Sequence, residues 1–262
     1  MPRVMSVHER LGIMRRAFQE KHVATPGQAR LFDRGLFTAA AILFPLIVLA
    51  GFARTYYLRG FLGGPPLPST IVHVHGLVMT AWVMLFGAQV WLVSSRRVRV
   101  HQRLGYAGSG LAVLIIVTGV VTALRAAKYG SASSPPDVPP LSFLLVPLFD
   151  LVMFALFFAA AMYYRRRPAA HKRLMLLTAL NFLPPAVARI PIASLQAMGP
   201  LWFFGFPTAL TLICLGLDAR RNGLNRVFLV GSLLLIASYG VRLALMGTEA
   251  WLDLARWMTS FV

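Results

Sequence analysis

The chain has 262 residues, of which 58% are hydrophobic and 13% charged, and its 26 Lys and Arg outweigh 8 Asp and Glu for a formal net charge of +18. Soluble domains carry roughly 25% charge, so this composition, with a mean hydropathy of +0.69, excludes a water-soluble globule and a disordered chain. A single cysteine, Cys214, excludes a disulfide framework or thiolate cluster, and basic residues grouped between apolar runs point away from nucleic acid and towards a bilayer.

The first 35 residues read as a cytoplasmic arm. Arg10, Arg15, Arg16 and Lys21 interleave with Leu11, Ile13, Met14 and Phe18, the pattern of an amphipathic helix lying on a membrane surface, with Thr25-Pro26-Gly27 as its end. No apolar stretch precedes Leu36, so a secretory signal is not expected. Seven apolar segments follow, over 36–58, 70–95, 104–124, 141–164, 172–191, 200–217 and 226–246. Each is about long enough to cross hydrocarbon roughly 30 Å thick, the sixth being the shortest.

The connections alternate in charge. Nineteen of the 26 basic residues fall in the arm and in the clusters Arg96–Arg103, Arg165–Arg173 and Arg220–Arg226. The other side holds Arg54, Arg59, Arg125, Lys128, Arg189, Arg242 and Arg256. Basic loops stay in the cytoplasm and meet anionic lipids there. The expected fold is therefore an all-α seven-transmembrane-helix bundle over 36–246, with the N-terminus cytoplasmic and the C-terminus external. The stretch 130–140 reads as an extended outer loop, and Pro184, Pro185 and Pro191 predict a break in the fifth crossing. The segment 247–262 reads as external and interfacial, with Trp251 and Trp257 at the headgroup level.

The second crossing carries a stripe of His75, Met79, Trp82, Phe86 and Gln89 on one helical face, which should look into the bundle because polar groups facing lipid are costly. His73 points to a different side. Asp150 is the one acid within these seven segments, and an intramembrane carboxylate needs a partner. Its candidates are His75, Arg125, Arg189 and Arg242, and a helix-locking ion pair and a functional role both remain open. Together His73, Asp150, Arg125, Arg189, Arg242 and Gln89 form a candidate polar pocket, which could hold an anionic group or a quinone head. A weak repeat, His101-Gln102-Arg103-Leu104 and His171-Lys172-Arg173-Leu174, places two histidines at equal depth where crossings three and five begin. Facing neutral imidazoles are what haem-iron ligation requires. Gly-rich phosphate loops, nucleophile elbows and His-Glu-x-x-His helices are absent from the sequence.

The run His75-Gly76-Leu77-Val78-Met79-Thr80-Ala81-Trp82, followed by a basic turn and His101, resembles the cytochrome b561 family and its ferric-reductase relatives. The spacing of His75-Gly76, Gln89, Arg96 and His101 to Gly105 is also similar to an uncharacterised bacterial multi-pass membrane family. The first resemblance implies a helical core binding two b-type haems, with His75 as an outer ligand and His101 and His171 as the inner pair on haem iron. Crossing four departs from that pattern, since Asp150 stands where a histidine is expected. The function expected is membrane electron transfer with haem b and a quinone-type site, in a bacterial inner membrane. Two other expectations differ in class: a non-catalytic subunit of a larger respiratory or photosynthetic complex, and a small transporter or lipid enzyme using the Asp/Arg/His pocket.

Overall fold

The computed structural model describes residues 26–67, 69–131 and 137–262, with side chains from Gly35 onward. The amphipathic arm expected before Thr25 and the middle of the 130–140 loop lie outside the described residues. Every regular element among the described residues is helical. Helix α1, Pro26–Phe52, ends in a π-helical turn, Ala53–Tyr57. There follow α2 (Thr70–Ser94), α3 (Val98–Tyr129), α4 (Pro140–Phe143), α5 (Leu145–Tyr163), α6 (Pro168–Asn181) and α7 (Leu183–Val187). The chain closes with α8 (Ala193–Gln196), α9 (Pro200–Phe203), α10 (Gly205–Asn222), α11 (Arg226–Leu245) and α12 (Glu249–Thr259).

Six stretches among the described residues are long and apolar enough to cross a bilayer: Gly35–Tyr57, Thr70–Ser94, Val98–Tyr129, Pro140–Tyr163, Pro200–Asn222 and Arg226–Leu245. Their outward positions are apolar, with Leu43, Leu46, Val113, Val117, Leu233 and Leu234 all exposed. Polar groups turn inward, where Thr118, Asp150, Asn181, Thr211, Ser232 and Arg242 are buried. Apolar outside and polar inside is the pattern of an integral membrane protein, in which lipid is the outer solvent.

The fifth expected crossing differs from the other six. Its helix breaks at Phe182, between α6 and α7, because Pro184 and Pro185 cannot donate to the carbonyls a turn behind them. Residues 176–184 are buried without interruption, so this element is enclosed by its neighbours and meets little lipid. That enclosure lets it carry Arg173, Thr178 and Asn181, all buried. It is therefore less apolar than the lipid-facing helices, and no single long helix spans it.

Two antiparallel hairpins, α2–α3 and α5–α6, turn at the same end of the bundle through arginine-rich connections at 95–97 and 164–167. This end is called the basic end below. Aromatic rings fill the middle: Trp82 packs edge-on against Phe154 at 5.0 Å between centroids, and Phe154 lies 4.8 Å from Phe182. Small residues permit the closest approaches. A methyl on Gly51 would collide with the Ala186 backbone of α7, and one on Gly119 would sit 2.8 Å from a Leu151 methyl and 3.3 Å from the His75 ring. At the end opposite the basic turns, α12 packs on α3 and α4, where the Trp251 indole N–H donates to the Leu141 carbonyl at 3.0 Å.

Candidate functional site

Chemistry-bearing side chains gather at two places. At the basic end, His101 and His171 are each the fourth residue of their helices, α3 and α6. Each backbone N–H bonds back to an arginine carbonyl, Arg97 and Arg167, so the repeat read in sequence is a repeat in local structure. The two rings meet edge-on, with centroids 6.3 Å apart and planes at 79°. His171 Nδ1 lies 2.8 Å from the Ala161 carbonyl. A carbonyl only accepts, so Nδ1 carries the proton and Nε2 keeps its lone pair.

His101 has a different partner. The terminal amide of Gln89 approaches its Nδ1 to 2.5 Å. With the amide nitrogen towards the ring, the amide oxygen accepts from the Gly105 N–H at 3.2 Å and His101 carries its proton on Nε2. The reverse orientation, which alone leaves Nε2 free to ligate, would set the amide oxygen against the His101 carbonyl at 3.3 Å and the amide nitrogen against the Gly105 N–H. Gln89 therefore sets the tautomer of His101. The matching arginines of the repeat diverge. Arg103 is exposed, whereas Arg173 is buried and grips Asp218 of α10 through two 2.8 Å hydrogen bonds. Asn222 donates to the same carboxylate at 2.8 Å.

The second place is a cavity of about 440 Å³ near the opposite end, walled by α1, α2, α3, α5 and α7. His75, Met79 and Val83 line it from α2, Asp150 and Leu151 from α5, Gly119 and Thr122 from α3, and Phe44, Val48 and Thr55 from α1 and its π turn. Arg125 and Arg189 complete the charged lining. The His75 Nδ1 is 3.0 Å from the Thr118 hydroxyl. That hydroxyl spends its own hydrogen on the Leu114 carbonyl at 2.6 Å, so His75 Nδ1–H is the donor and Nε2 keeps a lone pair.

Asp150 is committed elsewhere. Arg242 of α11 donates to its Oδ1 at 2.5 Å, with both side chains buried, and Ser238 accepts from the same guanidinium at 3.3 Å. Asn181 bonds to the Asp150 carbonyl at 2.8 Å. The helix-locking reading of Asp150 is thus the arrangement present, with Arg242 rather than His75, Arg125 or Arg189 as partner.

The candidate pocket separates on inspection. Asp150, Arg125, Arg189 and His75 line the cavity, while His73, Arg242 and Gln89 do not. His73 is exposed and meets the Tyr56 hydroxyl at 3.1 Å. Gln89 sits at the basic end because it lies four helical turns along α2 from His75. Sequence reasoning missed Asp218, placed just past its sixth segment although α10 continues to Asn222. An acid amid Arg220, Arg221 and Arg226 was the available signal. Thr118 and the Ala161 carbonyl gave no signal, since hydroxyls and carbonyls are too common along helices to single out. No protein-family model matches this sequence, and no curated protein or solved structure matches it at a significant level.

Proposed function

We propose that this is an integral membrane redox protein that holds the iron of a b-type haem between His101 and His171. The observation that carries this reading is the pair itself, two imidazoles at equivalent positions of α3 and α6 with centroids 6.3 Å apart. His101 and His171 would be the residues to hold such an iron, since they bring two imidazoles together from neighbouring helices. The donor set fits such an iron. Haem, when bound, supplies a one-electron couple. The chain's own part would be to hold the ligands: the Ala161 carbonyl fixes His171 with Nε2 free, and the Gln89 amide orients the His101 ring through Nδ1. To ligate through Nε2, His101 would need its proton on Nδ1 and the Gln89 oxygen towards the ring.

The test is the visible spectrum of protein purified from haem-replete cells. A reduced-minus-oxidised b-type band is expected, and His101→Ala or His171→Ala should remove it while helicity by circular dichroism is retained. A folded, colourless wild-type preparation overturns the reading.

The same proposal includes seven crossings with the basic end in the cytoplasm of a bacterial inner membrane. Support comes from α6 and α7 together, which run 168–187, about 30 Å at 1.5 Å per residue. A second reading is favoured by the cavity: the protein binds a membrane-soluble amphiphile, a quinone-type molecule being one class. Its volume is within the range of small-molecule sites, and its walls are apolar with a few convergent polar groups. Thr118, the partner of His75, lies about 25 Å along α3 from His101, so the two sites are separately testable.

A further inference from the structure

The cavity carries a positive charge that its walls do not balance. Of its lining residues Arg125, Asp150 and Arg189, the acid is already spent on Arg242. Arg189 meets the Pro185 carbonyl at 2.6 Å and the face of Phe52 at 4.9 Å. Among the described residues no carboxylate pairs with it. Arg125 lies over the Tyr129 ring at 5.2 Å. Two residues of the same walls, Thr55 and Thr122, carry hydroxyl oxygens that are buried with no hydrogen-bond partner. A half-buried guanidinium without a counter-charge and buried hydroxyls without partners are each costly, and a bound group that satisfies all three recovers that cost.

His75 adds a complementary demand. Its Nδ1–H is taken by Thr118, so its Nε2 can only accept. The head group must thus offer anionic oxygens for Arg189, Thr55 and Thr122 and one O–H for His75. A phosphate monoester monoanion has both. Below these groups the walls are apolar, from Val48 and Met79 down to Phe44 and Val83. Thr55 to Phe44 spans about 16 Å at helical rise. We propose that the cavity binds a phosphate monoester on a long apolar chain, with the phosphate among Arg189, Thr55, Thr122 and His75 and the chain running towards Phe44. This rests on the cavity reading above and adds the chemistry of the head group. A neutral quinone would leave Arg189 unbalanced.

The experiment uses the full chain in phosphatidylcholine nanodiscs, with empty nanodiscs as the partition control. Dodecyl phosphate, dodecanol, decylubiquinone and inorganic phosphate are titrated by calorimetry, and the thermal midpoint is followed alongside. Dodecyl phosphate should bind about 10-fold or more tighter than dodecanol or decylubiquinone, the scale of a charge-assisted hydrogen bond, and should raise the midpoint. Inorganic phosphate alone should bind far more weakly. Arg189→Gln should reduce dodecyl phosphate to the affinity of dodecanol, and Arg189→Lys should restore part of the difference. Equal or tighter binding of dodecanol or decylubiquinone overturns the head-group inference and leaves the cavity reading standing. Inorganic phosphate binding as tightly as its dodecyl ester overturns the role of the chain. Binding of none of the four overturns both readings. The wild-type comparison decides the matter even where Arg189→Gln fails to fold.

Discussion

Asp150 and Arg242 are both buried, and each is the only counter-charge the other has among the described residues. Removing one partner of such a pair costs about 3–5 kcal/mol, because the other charge stays behind uncompensated, whereas replacing both with apolar residues of similar size is often neutral. Asp150→Ala is therefore expected to lower stability by about that amount in denaturing-detergent titrations, and Asp150→Leu with Arg242→Met to recover most of it. A double variant no more stable than the single one would show that the ion pair is not the source of the loss. Asp150 was conspicuous in sequence because carboxylates are rare in apolar helices, but its partner was not. Three arginines lie near the same end, and choosing among them needs the rotation of α11 about its axis, which places Arg242 inward and fully buried.

Helix pairing depends on a few positions without side chains. In α3, Gly119 faces Leu151 and His75, while Gly110 of the same helix faces open space. Gly119→Ala should cost about 1–3 kcal/mol by overpacking. Gly110→Ala should be neutral or stabilising by about 0.5–1 kcal/mol through helix propensity. Thermal unfolding of the two variants checks the pair, and equal effects would mean that α5 does not approach α3 as closely as described. The stripe on α2 was legible because a 3.6-residue period needs only local sequence: Trp82 and Phe86 are buried, and His75 and Met79 line the cavity. The break between α6 and α7 was legible from its prolines. The enclosure of α6 by protein, with Arg173, Thr178 and Asn181 buried, was not, because it depends on helices distant in the chain.

For the whole molecule, the proposed seven crossings require the basic turns and the C-terminal segment on opposite sides of the membrane. In a Cys214→Ser background, which removes the one native thiol, Ser260→Cys should react with an impermeant maleimide on intact cells. Arg166→Cys should react only after permeabilisation. Labelling of both from one side would indicate an even number of crossings. The two candidate sites lie at opposite ends of this bundle, so the proposed haem and the proposed amphiphile would make separate demands on the same fold.

Sequence by itself determined the solvent of this protein, the positions of its long helices and the shared register of His101 and His171. These follow from composition and from local spacing, which act through neighbours a few residues apart. Tertiary structure alone decided which arginine meets Asp150, that Arg173 is buried against Asp218, that Gln89 belongs with His101, and that Arg189 faces a cavity without a counter-charge. Each of these depends on how helices far apart in the chain are rotated and packed against one another, and no residue's immediate neighbours encode that.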